Sequence, residues 1–126
     1  PFSQPRNLVG GHVISALIGV TVHKLVPDII WIAAPLAVSF SIILMQITKT
    51  LHPPGGATAL IAIIGSDKIK ALGYMYVFSP VLIGVLILLI TALIFNNMTP
   101  SRSYPSHSTY HKHYHKLKKH LSKRQN

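Results

Sequence analysis

The stretch TKTLHPPGGATALIAIIG, residues 48–65, decides how this chain folds. It sets two prolines and two glycines directly between two strongly apolar runs. In water such a run reads as a surface turn. Between lipid-spanning helices it is harder to place, because irregular backbone at membrane depth must be buried in protein or line a cavity.

The surroundings point to lipid. Mean hydropathy is +0.44 and charged residues make up 11% of the 126-residue chain, where soluble domains carry about 25%. A bilayer core about 30 Å thick needs roughly 20 apolar residues in a helix. Three runs are long enough, at about residues 8–26, 29–47 and 74–95. The piece at 57–64 would span roughly 12 Å, so it reads as a re-entrant or broken half-helix, with a longer, bent fourth crossing as the competing reading. The expected fold is an all-α membrane domain over residues 1–98, followed by a basic tail over 99–126. The chain starts at Pro1 without an initiator Met or signal-peptide layout, so a fragment lacking an upstream first helix is expected.

Further punctuation fits this layout. In VPDII, residues 26–30, Pro27 stops the first helix and Asp28 can cap the second. Pro35 and Pro80 are expected to kink the second and third helices. The tail holds seven Lys/Arg, five His and no acid, and is expected to be disordered. The positive-inside rule then puts the tail in the cytosol. With a re-entrant piece, that places Tyr74 and Arg6 outside.

The composition narrows the chemistry. There is no Cys, and Asp28 and Asp67 are the only acids. Thiolate sites are therefore excluded, and catalytic carboxylate pairs have almost no material to form from. No HExxH or Gly-x-Ser-x-Gly is present, and the spacing of His12 and Ser15 arises readily by chance. No enzyme activity, cofactor or metal centre is expected. Gly11, Ser15 and Gly19, four apart, form a small-residue face suited to helix packing or to contact between copies. Ionisable His12 and His23 lie near opposite ends of that helix. Ser39 and Gln46 share a face of the second helix, which would continue to Thr50 and His52.

The broken stretch is the most informative. Pro53 and Pro54 lack N–H groups, and Gly55 and Gly56 admit close approach of a ligand. A helix opening at Ala57, Thr58 and Ala59 would turn free amides toward an anion, as discontinuous transporter helices do. His52 adds a titratable charge and Thr58 a hydroxyl. The expected substrate-binding set is His52, Pro53, Pro54, Gly55, Gly56, Thr58, His12 and Gln46.

LHPPGGATALIA, together with QPRNLVGGHVISALIGV from Gln4, SPVLIGVLILLI from Ser79 and NNM at Asn96, resembles the HPP family of integral membrane proteins over residues 3–98. The family name comes from the motif found here as His52, Pro53 and Pro54. The resemblance implies about four membrane segments, the first upstream of the PRN block. It also implies transport of a small anion, nitrite in plant and cyanobacterial relatives. The expected location is a bacterial inner membrane, or a plastid envelope in a plant. Some bacterial relatives carry a regulatory module where this chain has its tail.

Expected partners are the bilayer, a small anion and further copies of the chain. The alternative function is binding or sensing through the tail, whose His111, His113 and His115, with His107 and His120 nearby, could collect a metal ion. Its basic residues could instead meet anionic lipid. Nucleic acid is not an expected partner.

Overall fold

The computed structural model describes residues 2–26, 29–98 and 104–105. The Pro27 stop, the Asp28 cap and every expectation for residues 106–126 lie outside the described residues.

Helix α1 (Pro5–Leu25) opens with proline in its first turn, where the missing N–H costs nothing. Helix α2 (Ile30–Ile47) runs through Pro35. Both are long and apolar enough to cross a membrane, as is the span Val77–Asn97. That span is not one straight rod. Ser79 takes an extended conformation (φ −136°, ψ 122°), the geometry that a following proline favours. The expected kink at Pro80 is therefore a backbone break one residue earlier. Beyond it runs α5 (Ile83–Asn97). Between α2 and this span lie α3 (Pro54–Ile64) and the single-turn-scale α4 (Asp67–Ala71).

Helix α3 begins at Pro54 rather than Ala57, so the glycines are helical residues, not a loop ahead of the helix. Pro54 occupies the first-turn position that tolerates proline. At about 1.5 Å per residue the helix covers roughly 16 Å, about half of the hydrocarbon core.

Neighbours along α1 fix the direction of α3. A Cβ built on Gly11 would stand 2.6 Å from the Cβ of His52, and one built on Gly19 would stand 2.8 Å from the Cβ of Ala62. Farther along, the Thr21 and Tyr74 hydroxyls are 3.2 Å apart, and the Lys24 ammonium lies 5.7 Å from the Tyr74 ring centroid. Between His52 and Tyr74 the chain thus runs parallel to α1 from Gly11 to Lys24. Of the two readings of the broken stretch, the bent crossing is the one adopted.

This corrects the expected sidedness. A fourth pass returns the end of α5 to the side where α1 starts. Asn97 clasps the backbone of Tyr104, donating to its carbonyl (2.8 Å) and accepting from its N–H (3.0 Å). The Tyr104 hydroxyl donates to the Ser3 carbonyl at 2.6 Å. Burial pushes the Tyr104 phenol up from its ordinary pKa, which keeps it a neutral donor. Arg6 therefore shares a side with the end of α5, not the opposite side.

Two apolar clusters meet along α3. One joins Leu8, Ala16 and Val20 of α1 to Ala62 and to Tyr76, Val77, Val81 and Val85. The other joins Val22 to Ala33 and Ala37 of α2 and to Ala59 and Ile63 of α3. The bulky residues of α5, among them Ile83, Ile87, Ile90 and Ile94, are exposed, as a lipid-facing surface requires. The chain is a multi-pass integral membrane protein whose short helix is its most enclosed element.

Candidate functional site

The broken connection from α2 to α3 is tied down by side chains from the start of α1. Lys49 adopts φ 55°. The amides behind it close the α2 terminus: Thr50 N–H bonds the Met45 carbonyl (2.9 Å) and Lys49 N–H bonds that of Gln46 (3.1 Å). This is the left-handed helix ending in which glycine is usual. Arg6 then donates to the Thr48 carbonyl (3.1 Å) and Asn7 Nδ2 to the Leu51 carbonyl (2.9 Å). Thr48 and Thr50 share a hydroxyl–hydroxyl bond of 2.7 Å. The first turn of α1 thus satisfies carbonyls of the irregular backbone.

The same arrangement turns His52 inward. Its side chain is 6% exposed, and its Nδ1–H donates to the Phe2 carbonyl at 2.8 Å. That bond fixes the proton on Nδ1 and leaves Nε2 as the nitrogen able to accept one. The His12 ring lies 5.0 Å away, centroid to centroid, inclined at 59°. His12 Nδ1 meets the Thr58 hydroxyl at 2.6 Å. The Tyr76 hydroxyl donates to the Thr58 carbonyl at 3.0 Å. Two imidazoles, a hydroxyl and a phenol thus form one connected polar group inside the helices. Beside it, the Ser15 hydroxyl points at the Met45 sulfur, 3.7 Å away.

Gly55 does different work from that expected. A Cβ on Gly55 would lie 2.9 Å from Ser15 Oγ and 3.0 Å from the Gly11 carbonyl, so Gly55 admits α1, not a ligand. The Gly55 N–H bonds the His52 carbonyl (2.8 Å) and the Gly56 N–H that of Pro53 (3.1 Å). Pro53 and Pro54 have no N–H to offer. The expected row of free amides facing an anion is therefore absent here, because the first turn bonds back onto itself.

A second feature lies at the far end of α1. A cavity of about 230 Å³ is lined by His23, Lys24 and Lys70, with Tyr76 in its wall. A neighbouring one of about 350 Å³ shares His23 and Lys70 and is otherwise apolar, lined by Val26, Ile30, Ala33 and Ile63. Among the described residues, no cluster of three or more metal-ligating side chains occurs.

The HPP transmembrane-region family matches residues 1–105. The chain belongs to the HPP family. Two transmembrane proteins of Dictyostelium discoideum are similar to it. One is 47% identical over 108 residues, 83% of this chain and 38% of the relative. The other is 44% identical over 111 residues, 83% of this chain and 34% of the relative. The chain spans little more than a third of the length of these curated relatives. No solved structure matches it.

In this HPP domain the expected residues sort by position. His12, His52 and Thr58 come together. Gly55 and Gly56 are buried at the helix contacts behind them, while Pro53 and Pro54 are exposed. Gln46 and Ser39 are exposed, on the face of α2 opposite its buried residues Ala33, Ala37, Ser41 and Met45. The Gly11, Ser15 and Gly19 face is covered by α3 within the chain, so contact between copies needs another surface. Sequence reasoning missed Tyr76, Arg6 and Asn7. The signal for the last two was the PRN block itself: polar side chains at a membrane helix start, available to a broken segment.

Proposed function

We propose that this HPP domain conducts or transports a small inorganic anion, with nitrite the ion favoured by its family resemblance. The observation that supports this best is the inward-facing His12, His52 and Thr58 group, which no carboxylate accompanies among the described residues. Polar, ionisable groups are costly in lipid and mark permeation routes. Cation pathways use rings of Asp or Glu, and Asp67, the one acid among the described residues, sits exposed on α4.

The geometry suggests how charge is handled. His52 can take a proton at Nε2, since Nδ1–H is held by Phe2. The resulting imidazolium offers a positive charge that a passing anion can match. A second charge on His12, about 5 Å away, would be repelled by about 3 kcal/mol at an effective dielectric near 20. The pair therefore resists carrying two charges at once. The work proposed is permeation rather than catalysis.

The test is uptake by the full-length protein in proteoliposomes. Nitrite should enter faster than into protein-free vesicles, and faster as the pH falls through the range in which imidazoles take up a proton. Equal uptake with and without protein at every pH would reject the reading.

A further inference from the structure

We propose that the cleft at the C-terminal end of α1 holds the phosphate headgroup of an anionic phospholipid. This does not rest on the transport reading, because it concerns the opposite end of the helix bundle and a different set of side chains.

Three cationic or proton-accepting side chains converge there: His23 and Lys24 from the last turn of α1, and Lys70 from α4. Among the described residues no carboxylate pairs with them, and Asp67 lines neither cavity. A site with unneutralised ammonium groups favours an anion.

Its depth is that of a headgroup. Lys24 lies against the Tyr74 ring at 5.7 Å, and tyrosine and lysine together mark the membrane–water boundary. Lysine there extends its charge toward the interface while its stem stays among apolar groups.

The second cavity makes the ligand an amphiphile rather than a free ion. It opens from the same His23 and Lys70 but is walled by Val26, just past α1, by Ile30 and Ala33 of α2, and by Ile63 of α3. A phosphate diester seated on the lysines would place its glycerol and upper acyl carbons against that apolar wall. A free inorganic anion would have no use for it. Basic pockets between membrane helices bind lipid headgroups by the same combination.

The experiment is native mass spectrometry of the full-length protein in neutral detergent, offered equal amounts of phosphatidylglycerol and phosphatidylcholine with the same acyl chains. Phosphatidylglycerol should be retained about ten-fold over phosphatidylcholine, a difference of about 1.4 kcal/mol. Lys24→Gln with Lys70→Gln should remove that preference, and Lys24→Arg with Lys70→Arg should keep it. If the double glutamine variant does not fold, Lys24→Glu alone, at an exposed position, should still lower retention. Equal retention of both lipids would overturn the proposal. So would unchanged retention in the glutamine variant, or displacement of the lipid by millimolar inorganic phosphate, which would assign the cleft to a free anion. The readout is bound mass, so it succeeds or fails independently of any flux.

Discussion

Gly11 of α1 and His52 of the α2–α3 connection occupy one space: a side-chain carbon on Gly11 would stand 2.6 Å from the Cβ of His52. The absence of a side chain at one position is what allows the imidazole at the other to lie inside. Gly11→Ala should therefore displace His52 and lower stability by about 1–3 kcal/mol, the usual range for overpacking. Gly84→Ala is the control, since nothing lies within 4 Å of a Cβ there. Thermal unfolding in detergent should separate the two, with a lowered midpoint for Gly11→Ala and little change for Gly84→Ala.

Asn7 satisfies the Leu51 carbonyl in a stretch that has no regular backbone partner. Asn7→Ala strands that carbonyl away from lipid-compatible partners and should cost about 1–3 kcal/mol. The measurement is hydrogen exchange of the full-length protein. Faster exchange at Thr50 and Leu51, with α5 unchanged, is the expected pattern.

Lys49 holds a left-handed conformation, φ 55°, that glycine adopts without strain. Lys49→Gly should be neutral to stabilising, by up to about 1 kcal/mol. Lys49→Val should be destabilising by more than that, because a β-branched side chain resists positive φ. The unfolding midpoint should fall for Lys49→Val and stay level or rise for Lys49→Gly.

The long helices were readable from apolar length alone, and the four-residue spacing of Gly11, Ser15 and Gly19 correctly marked a packing face. The start of α3 was misplaced because prolines and glycines were read as breakers. Proline at a first helical turn is in fact favourable, and Gly55 serves helix contact. Sidedness failed with it: treating 57–64 as re-entrant changes the number of crossings by one and moves Arg6 across the membrane. Gln46 was placed inward because polar residues in membrane helices usually are. Yet the small residues Ala33, Ala37 and Ser41, each four apart, already identified the buried face of α2. Tyr76 lay beyond local pattern, since its bond to the Thr58 carbonyl depends on how α3 and the last span pack.

Thr58 links His12 to Tyr76 through its two oxygens. Thr58→Val keeps the shape but removes the hydroxyl, so His12 loses its partner. It should cost about 1–3 kcal/mol and reduce anion uptake, while Thr58→Ser should restore most of both. Tyr76→Phe should cost only about 1 kcal/mol, because it removes a donor and leaves a carbonyl that the helix can also satisfy. Paired unfolding and uptake measurements on these variants distinguish a positioning hydroxyl from a purely structural one.

The most direct test concerns the proton that His52 can take at Nε2. Glutamine at this position carries a polar amide of similar size but cannot be protonated. Nitrite uptake into proteoliposomes should be measured from roughly pH 8 to pH 6, where imidazole charge changes, for the full-length protein and for His52→Gln of matched thermal stability. The expected result is uptake that rises as pH falls in the natural protein, and uptake that is about ten-fold lower at pH 6, a barrier change of about 1.4 kcal/mol, and nearly independent of pH in the variant. An unchanged rate and an unchanged pH profile in His52→Gln would contradict a permeation route built on the two imidazoles.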